Sequence, residues 1–185
     1  MSRRRLASRG LTAPELFIFL SLACLLVSVG MVAASKYLRQ KKAAEAVALV
    51  TTLGHAGARY FNESDSSQPA GTDPGQARAT RHFPPSSTQS VPADPLDVRG
   101  KDYQSAPADW AVSPWHELRF SIPQAQHHAY SFVSEGAGAS ARASALATGD
   151  LNADGHASRF EAVIRPDDHM EAAVDPFVRR TDPDE

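Results

Sequence analysis

The chain has 185 residues, 42% of them hydrophobic, and a formal net charge of −2. That length admits one domain with a real core, and the balanced charge gives no electrostatic footprint of a nucleic-acid partner. The single cysteine, Cys24, excludes an intramolecular disulfide.

The first element is an apolar run. Arg3, Arg4, Arg5 and Arg9 precede Gly10, and one carboxylate, Glu15, stands at the lip of 20 residues without a charge, Leu16 to Ser35. At about 1.5 Å per residue such a helix spans a hydrocarbon core of about 30 Å. Three readings compete. A cleaved secretory signal would end at Val32-Ala33-Ala34 before Ser35, but the run exceeds the usual h-region of about 7–15 residues. A lipoprotein signal ending at Cys24 would halve the run. A retained anchor with the N-terminus inside uses all of it, although basic residues flank both ends and orient it weakly. The next segment favours the anchor. From Lys36 to Phe61 there is no proline and no glycine before Gly54. Leu49, Leu53, Ala56 and Tyr60 recur on one helix face, with Lys41, Lys42 and Glu45 away from it. Span and stripe together predict one helix of about 45 residues, apolar all round in its first half and amphipathic in its second.

The stretch Gly10-Leu11-Thr12-Ala13-Pro14-Glu15-Leu16 resembles the prepilin processing site of type IV pilins and pseudopilins. In that family a short basic leader ends in glycine, a peptidase cuts after it and methylates the new N-terminus, and the fifth mature residue is glutamate. The resemblance implies a cut after Gly10, a methylated Leu11 where phenylalanine is commoner, and Glu15 as that glutamate. Proline in the first turn, here Pro14, is compatible with a helix. Lys41, Glu45-Ala46 and Ala58-Arg59-Tyr60-Phe61 fall where such proteins carry similar residues. In the C-terminal half, Asp109-Trp110, Trp115 to Ser121, Tyr130-Ser131-Phe132 and Thr148 to Gly155 resemble pilin-like proteins of the myxobacterial type. The partners implied are other pilin subunits, the prepilin peptidase and inner-membrane lipid. The location implied is the inner membrane, N-terminus cytoplasmic and head periplasmic, then an extracellular filament.

An isolated carboxylate in hydrocarbon is expensive. In a filament of such subunits Glu15 would meet the free α-amine of a neighbour, each charge offsetting the other's desolvation. In the plainer reading, Glu15 lies at headgroup depth and has no such role.

Residues 62–109 are rich in Pro, Ser, Gly, Asp and Gln and read as a long loop wrapped over the domain or partly disordered. Asn62-Glu63-Ser64 is a glycosylation sequon of the kind that arises by chance. From Trp110 to residue 165 short runs with partial alternation, Trp115 to Ile122, Tyr130 to Ser134, Ala141 to Thr148 and Ser158 to Ile164, predict an antiparallel meander. Its apolar face would cover the helix stripe, giving an α+β fold: a long N-terminal helix on a small antiparallel sheet. The acidic segment 166–185 is expected to be loose. The organisation is then a leader (1–10), an apolar half-helix (11–35), an amphipathic half-helix (36–61), the loop, the sheet domain and the tail.

Asp150 to Glu161 has the spacing of a calcium loop, D-x-N-x-D-G-x5-E. Asp150, Asn152, Asp154, Ser158 and Glu161 would supply side-chain oxygens and His156 a carbonyl, so calcium is the candidate cofactor. Strands rather than helices flank it, and an Asx/Gly turn explains the same residues. His127-His128 lacks a third ligand and reads as a solvated turn pair. Gly136-Ala137-Gly138 is a hairpin turn, and Cys24 a lipid-facing apolar residue. No nucleophile–base or paired-carboxylate arrangement stands out, so the chain does not read as an enzyme. Two classes stay open: a structural subunit of a type IV pilus or secretion pseudopilus, and a monomeric, single-pass, membrane-anchored extracytoplasmic binding domain with calcium as its candidate ligand.

Overall fold

A computed structural model describes residues 12–64 and 80–183. The chain divides into two compact units, 1–38 and 39–185. Helix α1, Ala13–Glu63, contributes to both.

In the first unit the helix is apolar on every side. Phe17, Ile18, Phe19, Leu22, Leu26 and Met31 are all exposed. Nothing lies within 4 Å of where a Cβ on Gly30 would sit. A helix that is hydrophobic all round calls for an apolar medium, and this one is long and apolar enough to cross a membrane. Ser21 and Ser28 return their hydroxyls to the carbonyls of Ile18 and Leu25, so neither exposes an unpaired donor to that medium. Cys24 is exposed on the same surface.

The second unit is the α+β domain, and the whole buried core lies in it. Here α1 buries Ala43, Ala46, Val50, Leu53, Ala56 and Phe61. The face is rotated from the predicted one. Leu53 and Ala56 are in the core, but Leu49 and Tyr60 only flank it, and the centre is a seam of small residues. A Cβ on Gly57 would come within 3.0 Å of the Phe132 ring, and one on Gly54 within 3.2 Å of Val174. The two glycines let the sheet approach the helix backbone, which offsets their roughly 1 kcal/mol helix penalty.

The sheet has five antiparallel strands: β1 Ala129–Glu135, β2 Arg142–Gly149, β3 Ser158–Pro166, β4 Ala172–Val174 and β5 Arg179–Thr181. Their order is β1-β2-β3-β4, with β5 also on β3. Ala145 pairs with Phe132 on one side and Ala162 on the other. Phe132, Phe160, Ala162 and Ile164 are fully buried against α1, so alternate residues of the meander form its inner face.

Two expectations are corrected. Trp115 to Ile122 is not a strand: Trp115–Leu118 forms one helical turn, α2, closed by Arg119 at φ 52. Trp115 and Leu118, three apart, both point inward from that turn. The acidic tail is not loose either. β4 pairs Ile164 to Pro166 and β5 pairs Arg159 to Glu161, one at each end of β3. Asn62, at the end of α1, fixes β4 by a two-way amide bond to Ala172, 2.7 Å to its nitrogen and 3.1 Å to its oxygen. The sequon asparagine is thus committed to structure.

The described part of the loop, 80–109, wraps the domain along the outer edge of β1. Val91 and Tyr130 exchange both backbone bonds at 2.8 and 2.9 Å. Where Pro84 and Pro85 supply no N–H, Ser86 and Ser87 accept the N–H groups of Ser134 and Phe132 through their hydroxyls.

Candidate functional site

Two regions held the predicted site residues. At the first, Gly10 and Leu11 lie outside the described residues. Glu15 is described, and it is not isolated. Its Oε2 accepts the Thr12 N–H at 2.8 Å and the Thr12 hydroxyl at 2.7 Å. Leu16 N–H donates to the Thr12 carbonyl at 3.0 Å, the first bond of the helix. Thr12 is therefore the N-cap and Glu15 the third helical residue, the reciprocal half of a T-x-x-E capping box. The carboxylate also sits at the positive end of the helix dipole. The signal for this, Thr12-Ala13-Pro14-Glu15, stood in the sequence.

The second region is the β2–β3 connection. Asp150, Asn152 and Asp154 come together in one turn, and the remaining predicted ligands do not join them. Asn152 and Asp154 bond each other, and Asp154 Oδ1 accepts the His156 N–H at 2.8 Å. Ser158 is fully buried in β3 and donates to the Gly149 carbonyl at 2.7 Å. Glu161, three residues further along β3, accepts from Ser144 at 2.8 Å and lies 3.9 Å from Arg179. As arranged, Ser158 and Glu161 are committed to partners within the sheet.

What closes the turn is a side chain the spacing gave no sign of. Arg99 Nε lies 3.1 Å from Asp150 Oδ2, and Arg99 Nη2 donates to the Ala153 carbonyl at 2.9 Å. Gly155 N–H adds a second bond to Asp150 Oδ2, and Gly100 N–H donates to the Asp150 carbonyl. Asp150 is buried, so its charge needs a partner, and the guanidinium supplies one. Gly100 is required: at φ 62 its missing Cβ would lie 2.9 Å from the Cβ of Ala153.

No protein-family model, curated protein or solved structure matches the chain. The pilin resemblance rests on the sequence motifs quoted above.

A third polar group surrounds His127. Its Nε2 is 3.0 Å from Asp102 and its Nδ1 3.4 Å from Glu45, while Lys42 Nζ is 3.4 Å from Asp102. This bracket ties α1 to the wrapped loop. The neighbouring His128 corrects the reading of a solvated pair. It is buried against Phe160, and burial, helped by His127 and Lys42, pushes its imidazole down to about 4.

Proposed function

We propose that the chain is a structural subunit of a type IV pilin-like or pseudopilin-like filament, held in the inner membrane before assembly. The observation that carries this reading is the change of character along α1. The residues that follow the Gly10 to Glu15 motif are apolar and exposed on every face, and the later half of the same helix is the spine of an α+β domain. A bare apolar half-helix suits lipid first and a bundle of like helices second. Cleavage after Gly10 by a prepilin peptidase would leave Thr12 and Glu15 in the first turn of the mature helix.

A second reading has its own support. Because Thr12 already satisfies one oxygen of Glu15, the carboxylate has a local use without a neighbouring subunit. That suits a monomeric anchored domain. Mass spectrometry of the mature N-terminal peptide is the first test: methylated Leu11 supports a pilin, and an intact Met1 or a start at Ser35 removes it. Sheared-filament fractions separate the two uses of Glu15. Glu15→Leu should insert in the membrane as well as wild type yet enter filaments poorly; equal incorporation would count against the pairing with a neighbour's amine.

A further inference from the structure

Away from these regions, α2 and the segments beside it enclose an open groove of about 620 Å³. That is within the range of small-molecule sites, about 300–1,000 Å³. Its floor is aromatic: Trp110, Trp115 and Phe120 meet edge to face, with ring centroids 5.2 and 5.6 Å from Trp110 to the other two. The polar atoms of the floor are spent on one another. Trp110 Nε1 donates to Ser105 Oγ at 2.8 Å, and Ser105 Oγ donates to the Ile122 carbonyl at 3.1 Å.

The rim differs. Arg119 and His116 stand on it, both exposed, and among the described residues no carboxylate lines the groove. Arg119, like Arg142, Arg159 and Arg180, is in no ion pair among the described residues, and of these it alone lines the groove. Arg119 also occupies a left-handed backbone position, φ 52, which glycine or asparagine would take with less strain. The cap of α2 thus fixes the Arg119 backbone at the mouth of the groove.

We infer that this groove binds an amphipathic anion: an apolar, preferably aromatic, body against Trp110, Trp115 and Phe120, with a carboxylate on Arg119. Trp110, Trp115 and Phe120 are buried and present only a small part of each ring to the groove, so the guanidinium, whose fork matches a carboxylate, supplies the selectivity.

The chain's two tryptophans both line the groove, so fluorescence excited at about 295 nm, where tyrosine absorbs little, reports on its surroundings. The full chain reconstituted in lipid nanodiscs keeps free detergent out of the groove. Titrating it with 4-phenylbutyrate and with 4-phenylbutanol should give saturable changes for both, with the acid favoured about tenfold. Arg119→Gln should abolish that preference and leave the alcohol unaffected. Arg119→Gly, which relieves the backbone, should behave as Arg119→Gln does and melt no lower than wild type. Absence of saturation at 295 nm excitation, equal affinities for acid and alcohol in the wild type, or an undiminished preference in Arg119→Gln would each overturn the inference.

Discussion

The two halves of α1 share a helix and an apolar character, but they are not built alike. The first half shows large side chains on every side, and those from Leu16 to Val29 with Met31 are exposed. The second buries one narrow face whose centre is alanine and glycine. The first half carries no charge from Leu16 to Ser35 and the second is amphipathic; the halves differ also in how closely a neighbour can approach the backbone. A helix that meets a sheet at its backbone needs small residues there. A helix whose neighbours are lipid or other helices can carry bulk all round.

The sharpest way to break this contrast is to remove a large ring from each side. Phe132, fully buried against Gly57, should cost about 4 kcal/mol when changed to alanine. Phe19→Ala should leave the melting of the domain unchanged. Urea denaturation of both variants checks it, and a matching loss in Phe19→Ala would mean the first half supports the domain.

Acid should act on the domain that the second half supports. The folded state keeps His128 neutral, with its pKa depressed from 6.5 to about 4. The unfolded chain binds the extra proton between those values. Stability present above pH 6.5 is therefore lost as pH falls toward 4, by about 3 kcal/mol at most. Melting curves across that window should show the fall, and His128→Gln should flatten it.

A smaller loss is expected from the turn that Arg99 closes. Arg99→Ala leaves Asp150 buried with its counter-charge gone and should cost about 2 kcal/mol, less than a fully buried pair because Arg99 is partly exposed. Adding millimolar calcium to this variant sharpens the point. Recovery of the melting temperature would identify the turn as a cation site that the guanidinium fills in the wild type. The smallest effect belongs to the first half. Thr12→Ala removes the hydroxyl donor to Glu15 and should slightly loosen the start of the helix, read as faster amide exchange in its first turn.

Much of this architecture was legible in the sequence. β1, β2 and β3 follow their alternation and the polar turns between them, and the helix follows its unbroken run. The helix face was misplaced because large residues dominate a periodicity count, while Ala46, Gly54 and Gly57 mark the contact by being small. Trp115 to Ile122 alternates like a strand from Leu118 onward, yet Arg119 takes a left-handed conformation that ends α2. β4 and β5 were hidden in an acidic tail because short edge strands owe their existence to the partner edge of β3 more than to their own composition. At the sites, Glu15 was legible and its local partner overlooked. Asp150 was legible too, but Arg99 lies 51 positions upstream, and only the fold brings the two together.

The wrapped segment along β1 has a consequence for how the protein behaves at high local concentration. An open strand edge recruits other edges and seeds cross-β aggregates. Here one margin of the sheet is sealed by Val91 and by the hydroxyls of Ser86 and Ser87. The other margin is broken into two three-residue strands, one of them carrying Arg179 and Arg180. The domain can be crowded against its own copies without its sheet becoming a template for fibrils.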